Sequence, residues 1–177
     1  MDNREYECRV LNIDKDNFIK KIESYGSKYV NDYHQIRYVY DFNPVLSNKW
    51  IRLRTDGFIT TLAIKEYCSK EIGGTKEIEV EVSDLYKTDL ILEELGYKKR
   101  SVQENKRTRY ILDDVEIDID TWPGLNTYVE FEGKNKEDVL KVIRKLGYSE
   151  EDITTMDAQD IYLSQGYTQE DLNDLHF

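Results

Sequence analysis

With 177 residues, 34% charged and 39% hydrophobic, the chain is long enough to bury a real core. A net charge of -11 argues against non-specific nucleic-acid binding through a basic face, and two cysteines are too few for a disulfide scaffold. The opening Met-Asp-Asn-Arg-Glu lacks the apolar core of a signal peptide, and no run approaches a membrane span. These bounds predict a single domain over residues 1–177, cytoplasmic, a monomer or homodimer, with no nucleic-acid or membrane partner.

The first expected strand runs from Glu5 to Leu11, with Glu5, Glu7 and Arg9 alternating against Tyr6, Cys8 and Val10. Asp14 fits the N-cap of a helix over Lys15–Ser24, and Gly26 its C-terminal stop. A strand rich in Tyr and Val is expected from Tyr33 to Phe42, broken by Asn43-Pro44. Trp50–Arg54 and Ile59–Lys65 read as a hairpin around Asp56-Gly57. Lys76–Val82 alternates Glu77, Glu79 and Glu81 with Ile78, Val80 and Val82, and Ser83 is the expected N-cap of a helix ending near Gly96. Arg107–Leu112 follows as a strand, then a strand pair over 116–132 with a break at Trp122-Pro123-Gly124. A third helix, Lys136–Leu146, stops at Gly147, and 148–177 reads as short helices and a polar tail.

Any one of these strands is explained by a sheet that buries one face and solvates the other. Taken together they put Glu5, Glu7, Glu77, Glu79, Glu81, Glu116, Asp118, Asp120, Glu130 and Glu132 on the non-apolar face. Arg9, Arg52, Arg54, Lys65, Arg107 and Arg109 share that face. Eight such strands can close into a barrel with helices outside and charge inside. Burying an unpaired ion costs several kcal/mol, and here the acids outnumber the bases. Hard divalent cations on the carboxylates and a polyanion on the arginines would offset that imbalance.

Glu5-x-Glu7-x-Arg9, Arg52-x-Arg54, Lys65, Glu77-x-Glu79, Arg107-x-Arg109, Asp120 and Glu130-x-Glu132 also occur in an order that resembles the CYTH superfamily, the triphosphate tunnel metalloenzymes. The resemblance covers roughly residues 3–132. It implies an α+β fold, an eight-stranded antiparallel β-barrel (tunnel) with helices packed on the outside, that holds a triphosphate-containing small molecule with Mg²⁺ or Mn²⁺. Metal-dependent hydrolysis of inorganic tripolyphosphate or an organic triphosphate is the activity it favours. A class IV adenylyl cyclase and a non-catalytic polyphosphate-binding module are the alternatives.

Carried over by position, the resemblance implies that Glu5, Glu7, Asp120, Glu130 and Glu132 hold metal. Arg9, Arg52, Arg54, Lys65, Arg107 and Arg109 would grip the triphosphate. Glu77, Glu79 and Arg9 take the catalytic places. Two positions depart from the family pattern. Arg9 stands where most members have Lys, and an always-charged guanidinium is a poor proton donor or acceptor. Ala63 stands where many have Thr or Ser, which removes a hydroxyl contact to phosphate. His34 and His176 are the only histidines and fit neither a catalytic triad nor a zinc site.

Overall fold

The alternation of charged and apolar residues produces strands with two unlike faces, and the chain closes them on the charged side. The computed structural model describes residues 3–177. It contains β1 (Arg4–Val10), β2 (Lys28–Leu46), β3 (Lys49–Thr55), β4 (Thr60–Tyr67), β5 (Thr75–Val82), β6 (Lys98–Leu112), β7 (Val115–Thr121) and β8 (Tyr128–Gly133). Their order is β2-β3-β4-β5-β1-β8-β7-β6, all antiparallel, and β6 pairs back to β2 to close the barrel. A two-residue strand, β9 (Asp174–Leu175), adds to β6 in parallel.

Three helices pack on the apolar outer surface, and a fourth packs on residues of the cavity face. α1 (Lys15–Ser24) and α3 (Lys136–Lys145) bury Phe18, Ile22, Val139, Val142 and Ile143 against Cys8, Ile117, Ile119, Val129 and Phe131. α2 (Leu85–Glu94) lays Leu85 and Leu92 on Tyr40, Ile51 and Leu53. α4 (Ala158–Ser164) and the tail build a third cluster, in which Ile161, Tyr162, Leu172 and Leu175 pack on Trp122 and Tyr128. The apolar face of β5 is left uncovered, with Ile78 and Val80 59% and 56% exposed, because α2 lies over β3 and β6 instead.

Several boundaries differ from the sequence expectation. β2 continues through Asn43-Pro44, and the break shows only as a slip in the β2–β3 register between Asp41 and Leu46. Proline is tolerated where the ladder is already irregular. The α2 cap is Asp84, whose carboxylate accepts from the Lys87 N–H at 2.9 Å, one residue after Ser83. β6 begins at Lys98 rather than Arg107, and its first half pairs with β2 along most of its length.

The β1–β5 seam is short: among the described residues it pairs Arg4 with Lys76 and Glu5 with Thr75, and the Glu77 N–H donates to the Asn3 carbonyl at 2.8 Å. Past it, β1 pairs instead with the segment after α3: Arg9 N–H donates to the Thr154 carbonyl at 2.7 Å, and Thr154 N–H returns the bond at 2.8 Å. That segment thereby becomes part of the barrel wall.

Phe131 is fully buried and meets Phe18 edge-on at 6.3 Å, which joins β8 to α1. Phe131→Ala is expected to cost about 3–5 kcal/mol. Thermal unfolding checks this, with a fall in Tm of about 2–4 °C per kcal/mol for a chain of this size.

Candidate active site

The closed strands surround a cavity of about 1040 Å³, open to solvent and lined largely by charged side chains. Strand register sets the order of the groups around it. Glu7 stands opposite Glu132 and Arg9 opposite Glu130 across β1–β8. Asp118 stands opposite Glu130 across β7–β8, Arg107 opposite Asp120 across β6–β7, and Lys65 opposite Glu77 across β4–β5.

Most of these charges are paired. Arg107 reaches Asp118 at 2.5 Å, Asp120 at 2.6 Å and Glu130 at 3.3 Å, and so ties three strands together. Arg109 binds Glu116 and Asp118 at 2.6 and 2.7 Å. Arg9 binds Glu130 at 2.5 Å and Glu7 at 3.1 Å, and donates to the Met156 carbonyl at 3.0 Å. Lys65 lies 2.8 Å from Glu5 and 3.2 Å from Glu77. Arg52 meets Glu77 at 2.6 Å and Glu79 at 2.9 Å. Burial raises Glu5 to about 9 despite Lys65. Burial also disfavours the charge on Glu77 and Glu130, but Arg52 and Lys65 for the first, and Arg9 and Arg107 for the second, hold both below the usual carboxylate range.

The expected metal ligands divide. Among the described residues, Glu7, Glu130 and Glu132 are the one group of three carboxylates whose oxygens come within 4.8 Å of one another. Glu5 lies with Lys65, and Asp120 is occupied by Arg107 and by the Asn105 amide at 3.1 Å, so neither joins that group. Glu132 has no ion pair among the described residues, and burial with Glu130 and Glu7 nearby pushes it up to about 7. An oxygen-only set with one uncompensated carboxylate fits a hard divalent cation such as Mg²⁺ or Mn²⁺.

The basic side is unbalanced as well. Arg37 on β2 lines the cavity and stands directly opposite Arg54 on β3, yet it makes no salt bridge among the described residues. Among the described residues Arg54 has one ion pair, to Glu79 at 3.5 Å. Burial, then Arg54, Arg52 and Arg107, press Arg37 down from the usual arginine range, and Arg52 and burial do the same to Arg54. Like charges opposite on a ladder are unfavourable, and a guanidinium does not shed its proton to escape. The sequence reading missed Arg37. Its signal was parity: it alternates with Tyr38 and shares its face with Gln35 and Val39.

The model of the CYTH domain matches residues 3–156. The chain belongs to the CYTH family. Solved structures with this CYTH barrel include a protein from Pyrococcus horikoshii, 23% identical, with a TM-score of 0.77 over 89% of this chain and 98% of that one. A candidate adenylate cyclase from Vibrio parahaemolyticus is 16% identical, with a TM-score of 0.76 over 92% and 98% of the two chains. A third, from Hippeastrum, is an adenylyl cyclase candidate with a dominant triphosphatase activity. It is 14% identical, with a TM-score of 0.62 over 93% and 96%. At these identities the likeness is one of fold. A comparison with curated proteins gives no match.

The unbalanced poles of this CYTH cavity lead to two expectations. Tripolyphosphate should stabilise the metal-free protein, by about 2.7 kcal/mol at a hundred times its Kd, read as a rise in Tm. Glu132→Gln should raise the stability of the metal-free protein and abolish the added stabilisation by Mn²⁺, because the same repulsion that a cation relieves is removed by the amide.

Proposed function

We propose that the protein is a metal-dependent triphosphatase, hydrolysing inorganic tripolyphosphate or an organic triphosphate held inside the barrel. The observation that carries this reading is the pair of opposed surpluses in one cavity: Arg37 and Arg54 short of carboxylates, and Glu132 beside Glu7 and Glu130 short of a cation. A single-signed ligand would relieve one surplus and worsen the other. A polyanion with a divalent cation relieves both.

In this reading Arg37, Arg52 and Arg54 take the phosphate oxygens, with Arg107, Arg109 and Lys65 completing the basic wall from within their ion pairs. Glu7, Glu130 and Glu132 would hold Mg²⁺ or Mn²⁺, which supplies charge neutralisation and a water of lowered pKa when bound. Glu5 and Asp120, already engaged with Lys65 and Arg107, hold those cations in place. Arg9 orients Glu7 and Glu130, and its fixed charge leaves no proton for acid–base work. Glu77 is kept ionised by Arg52, and Glu79, more open to solvent, would orient an attacking water. Preorganised charge, in place before substrate arrives, supplies most of the rate enhancement in such sites.

Cyclisation of ATP is the second reading, favoured by Trp50, which lines the cavity beside Lys65 on the neighbouring strand. Incubation with tripolyphosphate, thiamine triphosphate and ATP, each with Mg²⁺ and with Mn²⁺, separates the readings. Orthophosphate release that depends on metal is the expected outcome. Cyclic AMP with stoichiometric pyrophosphate would replace it with cyclisation, and tight binding without turnover would leave a binding module. Glu130→Gln should abolish metal-dependent turnover, and unchanged activity would remove Glu130 from the metal group.

A further inference from the structure

We propose that the protein pairs with a second copy of itself through the outer face of α2, the two helices lying antiparallel about a two-fold axis between Leu90 and Ile91. α2 differs from α3, in which every apolar residue is buried and the solvent side carries Lys136, Glu137, Lys141, Arg144 and Lys145. α2 buries Leu85 and Leu92 but leaves Tyr86, Leu90 and Ile91 70%, 60% and 59% exposed, and Leu95 at its C-cap 68% exposed. An amphipathic helix turns charge to water and apolar residues to the core. Here the solvent side itself holds large apolar side chains.

The apolar surface does not end with the helix. Ile78 and Val80 of β5 are exposed too, and across the β4–β5 ladder they stand opposite Ile64 and Leu62. Those two pack against the cluster that holds Leu85 and Leu92, so the β5 row continues onto α2. Single exposed apolar side chains are ordinary, but a contiguous surface of this kind marks a contact site.

The charges on the same arc select the occupant. At about 100° per residue, Lys87 and Glu94 fall on the midline of the exposed arc, with Tyr86 and Leu90 on one flank and Ile91 and Leu95 on the other. Lys87 stands three residues before Leu90, and Glu94 three after Ile91. A two-fold axis between Leu90 and Ile91 therefore sets Lys87 of each copy against Glu94 of the other, and brings Leu90 to Leu90 and Ile91 to Ile91 at the centre. Parallel helices would set like charges together. Both charged groups are available. Among the described residues Glu94 has no ion pair, and Lys87, its side chain 81% exposed, has one, to Asp84 at 3.5 Å. Asp89 and Glu93 are turned toward Lys99, at 2.6 and 3.8 Å, and lie off the arc. The face is complementary to itself, which makes a second copy the partner it fits.

Sedimentation equilibrium of the full chain tests this at about 0.15 M salt, where repulsion between two copies of charge -11 is screened beyond about 8 Å. A dimer with a Kd of about 1–100 µM is expected, the range of a small interface. Leu90→Asp should leave the protein monomeric up to about 200 µM, and because the position is exposed its Tm should stay at the wild-type value. Lys87→Glu and Glu94→Lys each turn attractive pairs into repulsive ones, and each should weaken the dimer by about 10- to 50-fold. Mixed in equal amounts, these two charge variants should restore the dimer to the wild-type level, because each then meets the opposite charge on the other. A loss of folding in either variant could not produce that rescue. A wild type that is monomeric at about 200 µM overturns the inference. A dimer that Leu90→Asp leaves intact, or a mixture of the two charge variants that stays monomeric, overturns it as well.

Discussion

Ionic contacts inside a closed strand cylinder are what the rest of the molecule depends on. Arg107 joins Asp118, Asp120 and Glu130 across β6, β7 and β8, and Asp118 and Asp120 are 1% and 0% exposed. Charges so buried are stable only with partners in good geometry, and removing one partner from such a group typically costs about 3–5 kcal/mol. The barrel therefore cannot relax its register freely. A one-residue slip of any strand would move its charges to the outside and its apolar residues into the cavity.

That constraint explains why most of the apolar material lies outside, the cluster on Trp122 and Tyr128 excepted. The core is a jacket between the strands and the helices, with Cys8, Ile117, Ile119, Val129 and Phe131 facing α1 and α3. The jacket holds the strands rigid while the cavity keeps its polar lining. Where the jacket is missing, over Ile78 and Val80 of β5, the strand is also the one that barely touches β1. The segment around Thr154 fills in beside β1 at that place and carries Met156 to Arg9. The wall of the site is thus finished by residues far along the chain from the motif-bearing strands.

The cavity is preorganised by pairs that neutralise most of its charge and by a few groups left over. The leftovers matter for binding, since a paired arginine must give up a carboxylate to take a phosphate and an unpaired one does not. Arg37 and Glu132 carry opposite surpluses because their ladder neighbours are of like sign: Arg54 faces Arg37, and Glu7 and Glu116 face Glu132 on its two sides.

Strand parity alone determined much of this protein. Glu5-x-Glu7-x-Arg9, Arg52-x-Arg54, Arg107-x-Arg109 and Glu130-x-Glu132 announce one charged face each, and the order of those pairs resembles the CYTH family, whose barrel the fold bears out. Alternation is readable because a strand must put successive side chains on opposite faces whatever surrounds it. It failed where both faces are polar: Lys98–Lys106 pairs along β2 but has no apolar stripe, and Arg37 sits in a strand read as rich in Tyr and Val, where its own charge was passed over. Tertiary structure alone decided which charges meet. Glu5 and Glu7 are two residues apart on one strand, yet one faces Lys65 and the other joins Glu130 and Glu132. Partnership inside a barrel is set by the stagger between strands and by closure of β6 on β2, which are properties of the whole sheet and of no single strand.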